Sequence, residues 1–142
     1  MSKILDLLLR PETPNVQKDL RRQEYEILRL SKVYGEPFVI TLKGLPYGRA
    51  VELREMADYE IHTVLAGDGD GIWKNPALLE QHKAETPAEL VKLLLEPGEI
   101  RAISVAVEQL SGFRSEVLRP VHPADAAAEA IEKNSETART TS

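Results

Sequence analysis

Thr86-Pro87-Ala88-Glu89-Leu90-Val91-Lys92-Leu93-Leu94-Leu95-Glu96-Pro97-Gly98-Glu99-Ile100 contains two helix starts in close succession. Thr86 precedes a proline and has Glu89 three positions on. That is the spacing at which a threonine oxygen accepts from the Glu89 N–H while the glutamate carboxylate returns to the threonine N–H. Proline suits the first helical position, where its missing N–H is no loss. Leu90, Leu93 and Leu94 then share a face. Glu96-Pro97-Gly98-Glu99 breaks this helix and begins another, with Ile100, Ile103, Val107 and Leu110 on its buried face and Gly112 as its C-terminal cap.

Upstream, Asn75-Pro76 is a further cap-and-proline start, leading into Ala77-Leu78-Leu79. The glycine-rich residues 67–71 read as a plain flexible turn. The run Glu60-Ile61-His62-Thr63-Val64-Leu65 is too short for periodicity to separate strand from helix, and the reading leans to a third strand. Pro46 opens a helix with Val51, Leu53, Met56 and Ala57 as its apolar side. Residues 25–30 and 38–42 are rich in β-branched and aromatic side chains, with Gly35 and Pro37 between them. They read as an antiparallel hairpin, since a parallel pair needs a crossover of about a dozen residues or more.

At the N-terminus Ile4, Leu5, Leu8 and Leu9 form one face of a short helix that Pro11 and Pro14 stop. A helix this short is marginal alone, so its leucines need a surface. After Phe113 the pattern fades: 117–123 is extended and proline-broken, 124–132 is alanine-rich and suits a transient helix, and 134–142 lacks apolar periodicity. The chain therefore reads as an α+β fold, mainly α, with a small antiparallel β-hairpin or three-stranded sheet packed on a C-terminal helical subdomain. Residues 1–19 are an apolar arm and linker, 20–113 the α+β domain, and 114–142 a flexible, disordered tail.

The chain is 142 residues long, 42% hydrophobic but only 5% aromatic, so aliphatic side chains must fill its core. It has no cysteine, which excludes disulfides, thiolate nucleophiles and thiolate metal sites and fits a reducing cytoplasm. A formal net charge of −5 argues against a protein that works by neutralising phosphates. No apolar run approaches the roughly 20 residues that span a bilayer.

Catalytic patterns fail on inspection. Asp68-Gly69-Asp70-Gly71 suggests a calcium loop, but the later ligand positions of the EF-hand template fall on Ile72 and Leu79. His62, His82 and His122 lack metal-pair spacing, and Ser31, Ser104 and Ser111 lack a nucleophile elbow. Arg21 and Arg22 beside Lys18 read as a solvated face. Trp73, the only tryptophan, either covers the core beneath the glycine loop or anchors a partner, and the covering role is the simpler. No catalytic residue, cofactor or metal ligand is expected.

Residues 73–79, 86–95, Pro97-Gly98-Glu99-Ile100 and Gln109-Leu110-Ser111-Gly112-Phe113 resemble, in order and spacing, the XkdN-like phage tail assembly chaperones. The resemblance covers roughly residues 1–113 and is most specific over 73–113, although family members more often carry a Glu-Pro-type turn where this chain has Asp-Gly-Asp-Gly. It implies a non-enzymatic chaperone in the cytoplasm of the infected or lysogenic host, absent from the mature virion. Its partners would be the phage tape measure protein and, secondarily, the major tail tube protein, with no nucleic acid and no membrane. Leu5, Leu8, Leu9 and Trp73 are the candidate partner-binding residues. Packing of the arm on its own domain stays open, as does a homo-oligomer. The competing readings are a small metal-dependent hydrolase using Asp68, Asp70, His62 or His82, and a generic cytoplasmic adaptor.

Overall fold

The computed structural model describes residues 2–121. Along the chain run α1 (Lys3–Leu8), β1 (Arg22–Glu26), α2 (Leu28–Tyr34), β2 (Val39–Lys43), α3 (Tyr47–Arg54), α4 (Tyr59–Ala66), α5 (Pro76–Gln81), α6 (Pro87–Leu94) and α7 (Pro97–Leu110). The expected mainly-α α+β class is what is found. The sheet has two antiparallel strands, paired from Arg22 opposite Lys43 to Glu26 opposite Val39. The alanine-rich segment and terminal tail expected beyond position 123 lie outside the described residues.

Three local starts form as their spacing predicts. Asn75 accepts from the Ala77 and Leu78 N–H groups, and Thr86 Oγ1 accepts from the Glu89 N–H at 3.1 Å. The return bond of Glu89 goes to the Glu85 N–H, one residue earlier than the box predicts. At α7 the box is complete, with the Glu96 N–H donating to Glu99 at 2.8 Å. Each cap is worth about 0.5–2 kcal/mol.

The core gathers on α7, which packs against α4 and beneath β2, while α4 also meets α3 and α6. Ile103 and Val107 from α7, Ile61 and Val64 from α4, Leu90 and Val91 from α6, Leu53 from α3 and Ile40 and Leu42 from β2 fill it. Two expected faces are rotated. α6 buries Leu90 and Val91 and leaves Leu93 exposed, and α3 buries Ala50 and Leu53 and exposes Val51 and Met56. In both, tertiary docking selected among adjacent apolar residues that periodicity alone does not separate.

Two assignments are corrected outright. Residues 60–65 belong to helix α4, not to a third strand. Ile61 and Val64 are three apart and face the core together, a spacing that serves a helix packed on α7 but would split across the faces of a strand. The first strand ends at Glu26, and residues expected as its second half form α2, which ends at Gly35 in the left-handed region. Arg29 holds this helix in place. Its guanidinium donates to both carboxylate oxygens of Glu99, at 2.9 Å each, and to the Leu94 carbonyl at 2.9 Å. Ser31 Oγ ties α2 to the hairpin, donating to Glu26 at 2.6 Å and accepting from the Phe38 N–H at 2.8 Å.

The Arg29–Glu99 fork carries a pH dependence. Its hydrogen bonds hold the Glu99 carboxyl below the usual glutamate range, opposed by partial burial and assisted by the Glu96 N–H. Because the folded-state value is lowered, the contribution is complete above the unfolded value of about 4.3 and fades as pH falls through the folded one. Glu99→Gln is expected to cost about 1–2 kcal/mol at neutral pH. Thermal melts from pH 7 down to about 3 should show its deficit against the wild type shrinking as the carboxyl protonates. A deficit constant across that range would disprove the role of charge.

Candidate partner-binding surfaces

α1 forms as expected and is fastened at both ends without being packed. Ser2 Oγ accepts from the Ile4 N–H at 3.1 Å. Thr13 Oγ1 reaches back from the linker to the Leu7 and Leu8 carbonyls, at 3.3 and 3.2 Å. None of its residues is buried. Ile4, Leu5, Leu7, Leu8 and Leu9 are between 41 and 68% exposed, so the leucines do not rest on their own domain here. Ile4 and Leu7 join the expected Leu5, Leu8 and Leu9 on this surface, Leu7 being invisible to a reading that kept one helical face.

Trp73 lies elsewhere. It is 3% exposed and packs in the core, while its backbone N–H donates to Asp68 at 3.2 Å. Its ring is not on the surface and shares no face with the arm's leucines.

The acidic loop is a latch. Asp68 Oδ1 accepts from the Asp70 and Gly71 N–H groups, both at 3.0 Å, and Asp70 accepts from the Thr41 N–H at 2.8 Å. These carboxylates hold the 67–71 turn against β2, so the turn is pinned where a freely flexible one was expected. His62 sits in α4 and His82 ends α5, and His122 lies outside the described residues. Among the described residues no three metal-ligating side chains gather. Ser111 Oγ accepts from the Leu45 N–H at 2.8 Å and donates to the Val107 carbonyl at 2.7 Å. Ser104 is buried within α7, and Ser31 is engaged by the hairpin. Ser31 and Ser111 thus hold structure together, while the Ser104 hydroxyl is buried without a hydrogen-bond partner among the described residues.

The Leu110-Ser111-Gly112-Phe113 run acquires a physical meaning. Ser111 clamps the end of β2, Gly112 turns the chain at φ 100°, and Phe113 lies under the Arg54 guanidinium, 4.2 Å from the ring centre. Gly44 completes the junction, because a Cβ there would stand 2.5 Å from the Leu110 carbonyl oxygen. Residues 55–121, from the turn before α4 through this junction, match the family model described as phage XkdN-like tail assembly chaperone protein. Over these residues the chain is similar to that family. The chaperone match contains all of 73–113, where the resemblance was most specific, and leaves the arm, the hairpin and α3 outside it. No curated protein and no solved structure matches the chain. Among the described residues no helix is long and apolar enough to cross a membrane.

Proposed function

We propose that this chain is a tail assembly chaperone that acts without catalysis, holding an aggregation-prone tail protein soluble until assembly consumes it. The client is the tape measure protein, with the tail tube protein as a second client, and the setting is the cytoplasm of the infected or lysogenic host rather than the finished virion. The observation that carries this reading is α1: a helix capped at both ends whose four aliphatic side chains, together with Leu9 at its C-cap, are all exposed. A long helical client exposes apolar stripes before the tube encloses it, and such stripes aggregate unless covered. An apolar helix supplies that cover by packing side chains at i, i+3 and i+4 into the client's grooves.

The test is co-expression with the tape measure protein of the same phage, followed by affinity capture. The full chain should retain the client, and Leu5→Ser/Leu8→Ser/Leu9→Ser should lose it while unfolding within about 0.5 kcal/mol of the wild type, because these positions are exposed. Capture unchanged by the triple substitution would remove the arm from the mechanism. A folded wild-type chain that captures neither tail protein would overturn the client assignment itself.

A further inference from the structure

The two edges of the hairpin differ. On β2 the outward peptide groups of Thr41 and the Lys43 N–H are covered by the 67–70 turn. The Lys43 N–H donates to Gly67, the Gly69 N–H to Thr41, and the Thr41 N–H to Asp70, at 2.8–2.9 Å. β1 has no turn against it, although its Glu24 carbonyl accepts from the Gln23 side chain at 3.2 Å. The bonds Ile27 N–H to Phe38 and Gly44 N–H to Arg21 fix which residues face inward. Odd-numbered positions of β1 bond to β2, and the peptide groups of Arg22, Glu24 and Glu26 point away from it. Among the described residues no acceptor meets these three N–H groups. The edge has no proline or bulge to block pairing; it is short and its three outward positions are charged, so what can pair with it is set by charge.

Its charges are not of one sign, though the Arg22 guanidinium lies across the sheet beside Gly69 and turns from there to meet a partner. Arg22-Gln23-Glu24 is its own antiparallel complement. We propose that a second copy of the chain adds to this edge, β1 against β1, with Gln23 opposite the partner's Gln23 and Arg22 opposite the partner's Glu24. Two-fold symmetry repeats the charge pair, as an isologous interface requires. The register is selected, because only shifts of two residues keep outward groups facing each other. One such shift sets Glu24 against Glu24 between two Arg22–Glu26 pairs, and the other sets Arg22 against Arg22, so the proposed register alone has no like-charge pair. Opposite charges across strands stabilise the pairing and like charges oppose it. An apolar groove of about 320 Å³ runs beside the same strand, lined by Tyr25, Ile27, Leu28, Ile40, Ala102 and Ile103. The core-side residues of an added strand project along its open side, extending the interface beyond the backbone bonds. This assembly is independent of the client and of the arm.

Sedimentation velocity on the full chain, from about 1 to 100 µM, tests it. The wild type should form a dimer, and R22E and E24R should each weaken it roughly tenfold or more. The double variant R22E/E24R should restore it, and Leu5→Ser/Leu8→Ser/Leu9→Ser should leave it intact. A wild type that stays monomeric throughout, a dimer indifferent to either single swap, one not restored by the double swap, or one abolished by the arm substitutions would each overturn the proposal.

Discussion

Trp73→Ala is expected to destabilise the chain by about 3–5 kcal/mol, the usual cost of removing a large aromatic from a packed interior. Domains of this size are stable by only about 5–15 kcal/mol, so the variant should melt well over about 10 °C below the wild type. The indole sits within the core, and the same residue's N–H is one of three held by Asp68. Truncation therefore opens a cavity directly beneath the turn that covers the outer edge of β2. Trp73→Phe, which keeps most of the apolar volume, should retain the greater part of the stability. The melts can be followed by circular dichroism in all three chains. In the wild type the single tryptophan adds an independent probe, whose emission should shift to longer wavelength on unfolding. A loss below about 1 kcal/mol for Trp73→Ala would be incompatible with a core position, since surface changes rarely exceed about 0.5 kcal/mol.

Trp73 illustrates what the sequence shows and what it withholds. A lone tryptophan beside a glycine loop fits both a core cover and a partner anchor, and only its burial in the folded core decides. Helix starts are different, because capping is settled within four residues. Asn75-Pro76, Thr86-Pro87 and Glu96-Pro97 were all legible, and all are where a helix begins. The α2 segment was not legible. Ile27-Leu28-Arg29-Leu30 has the composition of a strand, yet residues 28–34 form a helix whose Arg29 is tied to Glu99, far away in the chain. Residues 60–65 failed for the same reason: their environment is α7, which no local window contains. The arm was legible as an apolar helix, but whether its leucines were covered depended on the rest of the molecule. The open edge of β1 could not be read at all, since which peptide groups face outward is defined only once the pairing with β2 is known.

The contact between the end of α4 and α7 gives the second large effect, and a double-mutant cycle isolates it. A Cβ added at Gly67 would overlap one Val107 methyl and stand 2.8 Å from the other. Val107 is 0% exposed, and a β-branched side chain within a helix has one strongly preferred rotamer, so it cannot swing aside. Gly67 has φ −86°, which alanine adopts without strain, so the cost of Gly67→Ala is steric alone. It should amount to about 1–3 kcal/mol, as overpacking usually does. Val107→Ala removes two buried carbon atoms and leaves a void, at a cost of about 2–3 kcal/mol. Combined, the two substitutions should cost less than the sum of the singles, because the new methyl group fills part of the space the valine leaves. The expected coupling is about 1–2 kcal/mol in favour of the double variant, within the range seen for residues in direct contact. Urea unfolding of the four chains measures it. Strict additivity would mean that α4 and α7 do not meet at this point, and the close approach that requires glycine at position 67 would have to be abandoned.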